Sequence, residues 1–269
     1  MSGFSLKKAG DFEWLCADNF PDCAVHAFTT RLGGVSEGHL ASLNLGVSRG
    51  DRDENVEKNY SIVCSALGLD PEKLVFYHQV HGTDTPVVTS ADALPVISSA
   101  RGSADGSITN ERGLTLAVFT ADCVPVLLCD PVKNVVAAVH SGWRGTAKGI
   151  AALAVKRMER LFGCRGEDIF AAVGPCIQPC CFETDEDVPS AMLESHGELA
   201  REHIVSLGNG RFRVDLAGIN RSLLEGCGLK PGNISASSEC TCCSDENRYW
   251  SHRRTGDKRG SLAALIMLK

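Results

Sequence analysis

Three short apolar runs, each of which carries a side chain with a soft nitrogen or sulfur donor, constrain this chain more than any other feature. The runs occupy residues 76–82, 120–123 and 139–145. They contain His78 and His81, then Cys123, then His140. Two imidazoles and one thiolate delivered by strand ends would form a zinc site with one coordination position open to water or substrate. The pattern therefore predicts a catalytic metal centre rather than a structural one.

The first run offers two alternative donors, His78 and His81. Residues three positions apart point to opposite faces of a strand, so both could bind one ion only if the strand has ended. We therefore expect one of the two histidines to be a bystander, and the spacing alone does not decide which.

Strand and helix patterns alternate along the chain and predict an α/β fold with a sheet at its core. Apolar residues recur every three or four positions over residues 53–67, as on an amphipathic helix, with Asp53 as the expected N-cap. Further helices are predicted at residues 146–162, 185–204 and 216–223. Short β-branched or apolar runs predict strands at residues 25–30, 74–80, 85–89, 114–120, 125–129, 135–139 and 262–268.

Length and charge favour one domain that acts on a small ligand. With 43% hydrophobic content, 269 residues can bury a large core, and we expect a single domain over residues 1–269. The 27 Lys and Arg side chains are scattered and outnumbered by 33 Asp and Glu, which argues against a nucleic-acid partner. No apolar run approaches the roughly 20 residues that span a bilayer. We expect a cytoplasmic protein without a membrane partner, and its oligomeric state stays open.

The thirteen cysteines are expected to be mostly reduced. Their number is odd, the chain is long, and several lie inside apolar runs, unlike the cysteines of a small secreted scaffold. Two groups close in sequence could supply a structural zinc site or a redox-sensitive cluster: Cys176, Cys180 and Cys181, and Cys240, Cys242 and Cys243. Their irregular spacing favours ordinary packing and loop thiols.

Nine sequence blocks, in order through nearly the whole chain, resemble the laccase-domain family. Its members are also called YfiH-like proteins, multicopper polyphenol oxidases or purine nucleoside phosphorylases. The blocks are residues 29–36, 42–46, 79–83, 104–106, 120–127, 140–145, 174–177, 181–183 and 251–254. The resemblance implies a layered α/β sandwich with a mixed-sheet core and flanking helices.

The resemblance also implies a set of ligands and a reaction. It assigns a zinc centre to His81, Cys123 and His140, which leaves His78 as the bystander. It implies a purine nucleoside phosphorylase that cleaves adenosine, inosine, guanosine and methylthioadenosine with phosphate, and that deaminates adenosine. Zinc with three protein ligands can lower the pKa of a bound water to roughly 7, which suits deamination.

Phosphorolysis needs, in addition, an anion site for phosphate. Arg144 lies in a Gly-rich turn between a predicted strand and helix, where backbone N–H groups favour anions, and it is the first candidate for a phosphate or ribose contact. Arg31, in a Gly-paired turn, and Asn44 are further candidate substrate contacts. An ordinary salt bridge for Arg144 and a solvent-exposed turn for Arg31 are the alternatives. Asp122 could support Cys123 or tie down a neighbouring loop, and its role stays open.

Other functions use the same residues differently. The four-copper centre of blue laccases needs more histidines than the eight present here, so copper is expected at most at the Cys/His site. A cysteine hydrolase would use Cys123 as nucleophile and His140 as base, without a metal. His81 discriminates, because only a metal needs it as a third ligand. A protein that binds a metal or nucleoside without turnover would retain its ligand tightly.

Overall fold

The computed structural model describes residues 3–47, 49–98, 101–244 and 248–269, in which the chain forms strands and helices in alternation. The strands are β1 (Phe4–Ala9), β2 (Phe12–Ala17), β3 (Ala24–Thr29), β4 (Leu74–Val75), β5 (Gly106–Thr109), β6 (Thr115–Thr120), β7 (Val124–Asp130), β8 (Val135–Ser141), β9 (Phe170–Val173), β10 (Glu183–Thr184), β11 (Ile204–Gly208), β12 (Arg211–Val214), β13 (Ile234–Ala236) and β14 (Leu262–Leu268). The α-helices are α1 (Asp53–Leu67), α2 (Trp143–Ala147), α3 (Ile150–Phe162), α4 (Asp187–His196), α5 (Glu198–Arg201), α6 (Leu216–Gly226) and α7 (His252–Thr255).

Two mixed sheets form the centre of the molecule. The six-stranded sheet has the order β1-β2-β3-β14-β6-β4, and the five-stranded sheet has the order β13-β9-β7-β8-β5. Most neighbours are antiparallel, whereas β4 runs parallel to β6 and β13 parallel to β9. A small sheet, β10-β12-β11, lies apart from both. None of the helices in the described ranges is long and apolar enough to cross a membrane.

The central strands are buried on both faces because alternate side chains enter different cores. In β7, Leu127 and Cys129 pack between the two sheets, whereas Val126 and Leu128 pack in the core that includes residues of α3 and α6. In β14, the even-numbered side chains lie between the sheets and the odd-numbered ones lie in the core with α1. The layers therefore run α1, six-stranded sheet, five-stranded sheet, α3 with α6. This confirms the predicted α/β sandwich with a mixed-sheet core and flanking helices.

The predicted elements match best where the pattern is long and periodic. The predicted helix at 53–67 and strand at 262–268 coincide with α1 and β14, although the N-cap of α1 is Arg52 rather than Asp53. The predicted helix at 146–162 is wrong in its continuity, because Gly149 adopts a left-handed φ of 71° and separates α2 from α3. The predicted helix at 185–204 is likewise divided at Gly197 into α4 and α5.

The predicted strands around the first donor run were too long. The strand expected at 74–80 ends at Val75, and the strand expected at 85–89 is reduced to an isolated bridge between Val87 and Ile108. The rest of both segments is irregular, and residues 86–88 lie beside the edge strand β5, where the Val88 N–H donates to the Ile108 carbonyl and the Ile108 N–H donates to the Pro86 carbonyl. His81 therefore lies outside any strand, and loop contacts rather than the alternation of strand side chains set its position.

Candidate metal centre

The buried carboxylate of Asp105 organises the loop that carries the first donor. It accepts hydrogen bonds from the backbone N–H groups of Val80 at 3.1 Å, His81 at 2.9 Å and Gly82 at 2.7 Å. Three successive N–H groups aimed at one anion form a concave backbone nest. This nest accounts for the left-handed φ of 59° at His81, a conformation that costs a non-glycine residue about 1 kcal/mol or more.

The same carboxylate orients the third donor. Nδ1–H of His140 donates to Asp105 Oδ1 at 2.8 Å, and both side chains are almost completely removed from solvent. His140 is the penultimate residue of β8, where the strand approaches α2. Because Nδ1 is engaged with Asp105, the Nε2 atom of His140 is the one available for a ligand.

The second donor, Cys123, lies in the turn between β6 and β7. Asp122 precedes it with a φ of 96° and holds this turn from behind. The Asp122 carboxylate accepts hydrogen bonds from Thr241 Oγ1 at 2.7 Å and from the backbone N–H of Arg253 at 2.6 Å. The role of Asp122 that the sequence left open is thus, in this structure, to anchor the turn to two neighbouring loops.

The three donors converge. One ligand atom from each of His81, Cys123 and His140 lies within 4.8 Å of the others. Cys123 Sγ is 3.9 Å from His81 Nε2, and the two imidazole rings meet edge to face with centroids 5.0 Å apart. A Cβ atom on Gly142 would lie 2.7 Å from His81 Cδ2 and 3.1 Å from Cys123 Sγ, so only glycine leaves room beside the donors. These separations fit an ion with bonds of about 2.1 Å to nitrogen and about 2.3 Å to sulfur.

The electrostatics of the cluster favour a thiolate. Burial alone would raise the pKa of Cys123, but His140 and His81 outweigh burial and lower it to about 6. Burial would lower the pKa of His140, but the charges of Cys123 and Asp105 and their hydrogen bonds raise it to about 9. Burial opposes the charge of Asp105 as well, and the His140 and backbone hydrogen bonds hold its pKa at about 2. A thiolate at neutral pH is the form that a metal or an electrophile requires.

A cavity of about 490 Å³ opens onto the three donors. Its volume is in the range of pockets that hold drug-sized ligands. Aromatic side chains and arginines make up much of its wall: Phe76, Tyr77, Phe119, Arg49, Arg101 and Arg259. The site therefore combines soft metal donors, flat apolar surfaces and positive charge in one concave space.

The sequence model for the family described as "Multi-copper polyphenol oxidoreductase laccase" matches residues 25–269. The chain belongs to this laccase family.

Relatives within the laccase family align over most of the chain. The purine nucleoside phosphorylase of Bacteroides thetaiotaomicron is 36% identical over 247 residues, which cover 90% of this chain and 91% of the relative. Purine nucleoside phosphorylase YlmD of Bacillus subtilis is 34% identical over 250 residues, which cover 91% and 88% of the two chains. The crystal structure of YlmD from Geobacillus stearothermophilus superposes with a TM-score of 0.92 at 33% identity and covers 100% of both chains. The family and fold implied by the sequence blocks are thus confirmed.

The other histidine of the first run lies near this laccase-family site without joining the donors. His78 lines the cavity, is exposed, and is outside the cluster of His81, Cys123 and His140. Its backbone pairs with Ser103 through an isolated bridge. The geometry therefore agrees with the assignment of His81, rather than His78, to the donor set.

The three predicted substrate contacts lie outside the cavity lining of the described residues. Arg144 is exposed, and its guanidinium stacks 4.1 Å from the ring of its neighbour Trp143. Arg31 stacks 3.8 Å from the Trp250 ring and donates two hydrogen bonds to the carbonyl of Ala41. Arg31 therefore braces a loop, whereas Arg144 packs on its neighbour within α2, and the contact of both with substrate stays a prediction.

Asn44 is fully buried and supports the cavity wall from behind. Its Oδ1 accepts hydrogen bonds from the backbone N–H of Gly46 at 2.9 Å and of Ser261 at 3.1 Å. Its Nδ2 donates to Asp51 at 3.0 Å. Gly46 and Ser261 both line the cavity, so Asn44 positions two wall segments that are far apart in sequence.

Sequence reasoning missed the three arginines that line the cavity, and two of them, Arg49 and Arg259, are close enough to interact electrostatically. Arg259 has a buried Nε with no hydrogen-bond partner in the described structure, and its Nη1 donates to the carbonyl of Gly260 at 3.1 Å. Burial and the nearby charge of Arg49 lower the pKa of Arg259, and Cys123 and Asp122 lie within its electrostatic reach. Both arginines sit in polar loops without periodic pattern, so no local signal marks them. Asp105, by contrast, could have been suspected from its place in the 104–106 block.

Proposed function

We propose that this protein is a zinc-dependent purine nucleoside phosphorylase that also deaminates adenosine. Its substrates would be adenosine, inosine, guanosine and methylthioadenosine with phosphate. The observation that carries the proposal is that the His81, Cys123 and His140 donors converge on one cavity of about 490 Å³ that Arg49 and Arg259 also line. The names of the two bacterial relatives support the phosphorolysis.

The donor set fits zinc. His81, Cys123 and His140 would hold the ion through two imidazole nitrogens and one thiolate, which leaves a coordination position open, as in catalytic zinc sites. When bound, zinc would supply Lewis acidity toward an oxygen atom of substrate or water, which deamination at C6 of adenosine requires. Copper also favours imidazole and thiolate donors, so a copper-dependent polyphenol oxidase is the metal-based alternative.

Arg49 and Arg259 would bind phosphate. Two guanidinium groups that face one cavity repel each other, and a bound dianion relieves that repulsion while it accepts charge-assisted hydrogen bonds. The buried Nε of Arg259, which lacks a partner in the described structure, would donate to a phosphate oxygen. In phosphorolysis a phosphate oxygen bonds to C1′ of the ribose while the bond to the base breaks and its electron pair leaves with the base. The arginines would hold the attacking oxygen for that displacement.

The apolar wall would receive the purine. Tyr77 and Phe119 line the cavity and present flat aromatic surfaces on which a heterocycle can stack. Gln79 fixes the position of Phe119, because its side chain both accepts from the Phe119 N–H at 2.6 Å and donates to the Phe119 carbonyl at 2.7 Å. The base would thus lie on a wall that is rigid before substrate arrives.

A cysteine hydrolase is the second candidate. The pKa of Cys123 near 6 beside His140, with Asp105 behind the imidazole, gives an activated thiolate, an imidazole and an orienting carboxylate. That arrangement is the one nucleophilic cysteine enzymes use. Replacement of His81 separates the two mechanisms. A His81→Ala variant that keeps full turnover would eliminate the metal mechanism and leave the hydrolase.

The test is chromatography of the products formed from adenosine with and without phosphate. We expect phosphate-dependent adenine and phosphate-independent inosine from the wild type, and neither product from Cys123→Ala. Cys227→Ala, which removes a thiol outside the donor cluster, is the matched control and should keep both products. Unchanged adenosine with the zinc-loaded wild type would contradict the proposal.

A further inference from the structure

A second cluster of soft donors lies outside the candidate metal centre. The sulfur atoms of Cys180, Cys181, Cys240 and Cys243 all lie within 4.8 Å of one another. We propose that these four thiolates bind a structural zinc ion. We call this group the four-cysteine cluster. It is formed by two loops, one after β9 and one after β13, and it shares no ligand with the metal centre at Cys123.

The sulfur separations fit a tetrahedral ion. Zinc–sulfur bonds of about 2.3 Å place the four sulfurs of a tetrahedral site about 3.8 Å apart. Cys180 Sγ and Cys243 Sγ are 3.5 Å apart, and no pair in the cluster exceeds 4.8 Å. All four cysteines are free thiols. Small rotations of the side chains are therefore enough to place one ion among the four.

The loop around Cys240 is built to hold a thiolate. Residues 240–243 form a Cys-x-x-Cys turn, a spacing that recurs in structural zinc sites. The backbone N–H of Gln178 donates to Cys240 Sγ at 3.4 Å, and the backbone N–H groups of Cys242 and Cys243 lie near enough to favour its charged form. Backbone N–H groups around a sulfur stabilise its thiolate, as the outer shell of a metal site does.

Positive charge surrounds the four-cysteine cluster. Arg253 donates to the carbonyl of Cys181 at 2.9 Å, and Arg254 donates to the carbonyl of Cys242 at 3.0 Å. A zinc ion with four thiolates has a net negative charge, and two adjacent guanidinium groups offset it. Arg253 holds the first of the two loops and Arg254 the second, and the two arginines are consecutive in α7.

The exposure of two of the four cysteines argues against ordinary packing. Cys180 and Cys243 are exposed, whereas packing thiols of this chain, such as Cys129 and Cys176, are buried. A redox couple would account for two neighbouring sulfurs but leaves the other two unexplained. A closed site with four ligands accounts for all of them.

The proposed zinc ion would stabilise the turn that presents Cys123 without contacting the substrate. Thr241, inside the Cys-x-x-Cys turn, donates to Asp122, and Asp122 anchors the turn that presents Cys123. The backbone of Cys176 pairs with Cys240, and the N–H of Ile177 donates to the carbonyl of Asp122 at 2.9 Å. Both loops of the four-cysteine cluster are thus connected directly to Asp122.

The test is zinc content per chain, measured by mass spectrometry of metals on purified full-length protein. We expect a zinc ion that Cys180→Ser/Cys243→Ser loses and Cys123→Ser keeps. The control Cys16→Ser/Cys227→Ser, with thiols outside both clusters, should retain the wild-type content. Zinc content that the Cys180→Ser/Cys243→Ser variant leaves unchanged would overturn the proposal, whether or not the Cys123 centre binds zinc.

A cobalt titration keeps the test decisive if that double variant fails to fold. Zinc-depleted Cys123→Ser protein retains all four sulfurs, and added Co²⁺ should give the intense thiolate-to-cobalt charge-transfer absorption of a tetrathiolate site. The absorption should saturate at one equivalent and protect four thiols from alkylation. Absence of this band, or a disulfide between Cys180 and Cys243 in peptides mapped without reductant, would overturn the proposal.

Discussion

Asp105 Oδ1 accepts hydrogen bonds both from the backbone N–H of His81 at 2.9 Å and from Nδ1–H of His140 at 2.8 Å. One oxygen atom thereby fixes the relative position of two candidate metal donors that lie on separate segments of the chain. Because the shared acceptor is a protein atom, both imidazoles would already be oriented before a metal ion binds.

Replacement of Asp105 by Asn should weaken zinc binding about 10- to 100-fold, the usual cost of losing the partner of a metal-ligating histidine. The asparagine side chain also has an NH₂ group in place of one carboxylate oxygen, and that group cannot accept hydrogen bonds from the backbone N–H groups of residues 80–82. Competition with a chromophoric chelator measures the affinity. Asp257→Asn, a substitution at an exposed carboxylate, should leave it unchanged. Equal affinities for Asp105→Asn and the wild type would show that the carboxylate does not orient the donors.

Replacement of Gly142 by Ala should abolish metal binding at the His81, Cys123 and His140 centre while the chain stays folded. The added methyl group would lie 2.7 Å from His81 Cδ2 and 3.1 Å from Cys123 Sγ, so one donor must move. Gly232→Ala is the matched control, because a Cβ there meets nothing within 4 Å. Zinc content and circular dichroism of both variants check the prediction: Gly142→Ala should contain one zinc ion per chain fewer than Gly232→Ala, and equal zinc content in the two folded variants would contradict it.

Replacement of Arg259 by Met should raise KM for phosphate about 10- to 100-fold, since hydrogen bonds to charged groups contribute about 1.5–3 kcal/mol. Deamination of adenosine, which needs no phosphate, should change much less. Initial rates at varied phosphate measure the effect, with the exposed Lys258→Met as control for loss of one positive charge. An unchanged KM for phosphate would remove Arg259 from the anion site.

Acid should destabilise the protein partly through His26. Burial lowers the pKa of His26 to about 4, and its Nε2 accepts a hydrogen bond from the Ala17 N–H at 2.9 Å, which a protonated nitrogen cannot do. His26 therefore binds a proton near pH 6.5 in the unfolded chain but only near pH 4 in the folded chain. Stability from this group is complete above pH 6.5 and is lost as pH falls toward 4.

Between pH 7 and pH 5 this difference corresponds to about 2 kcal/mol of unfolding free energy. Urea unfolding of the wild type and His26→Gln at both pH values measures it, because glutamine can accept the same bond without titrating. His39→Gln, at an exposed histidine, should behave as the wild type. A pH dependence in His26→Gln as steep as in the wild type would contradict the assignment to His26.

Local periodicity predicted much of the fold, and helix α1 and strand β14 show why. Their apolar patterns are long, and burial on one or both faces leaves little choice of structure. The hairpin of β1 and β2 was not predicted, and neither was the loop that replaces the strand at 74–80. In that loop the hydrogen bonds go to Asp105, about 25 residues away in sequence, and no local pattern records such a partner.

The residues of the candidate site were likewise predicted only in part. The runs that hold His81, Cys123 and His140 suggested their convergence, and the structure brings the three together. Arg49, in the loop before α1, and Arg259, in the loop before β14, are about 200 residues apart in sequence and line one cavity only through tertiary packing. The four-cysteine cluster also needs tertiary structure to be seen, because its two halves are about 60 residues apart and only the Cys-x-x-Cys half has a regular spacing.

The position of β14 between β3 and β6 has a consequence for the newly made chain. Strand β3 is synthesised more than 200 residues before its partner at Leu262–Leu268, so its edge stays unpaired during most of translation. Arg259 and Ser261 emerge from the ribosome immediately before that strand. Nascent chains that stop short of it would have an open apolar edge for chaperones to cover and an incomplete cavity wall. Catalysis would therefore begin only when the sheet closes.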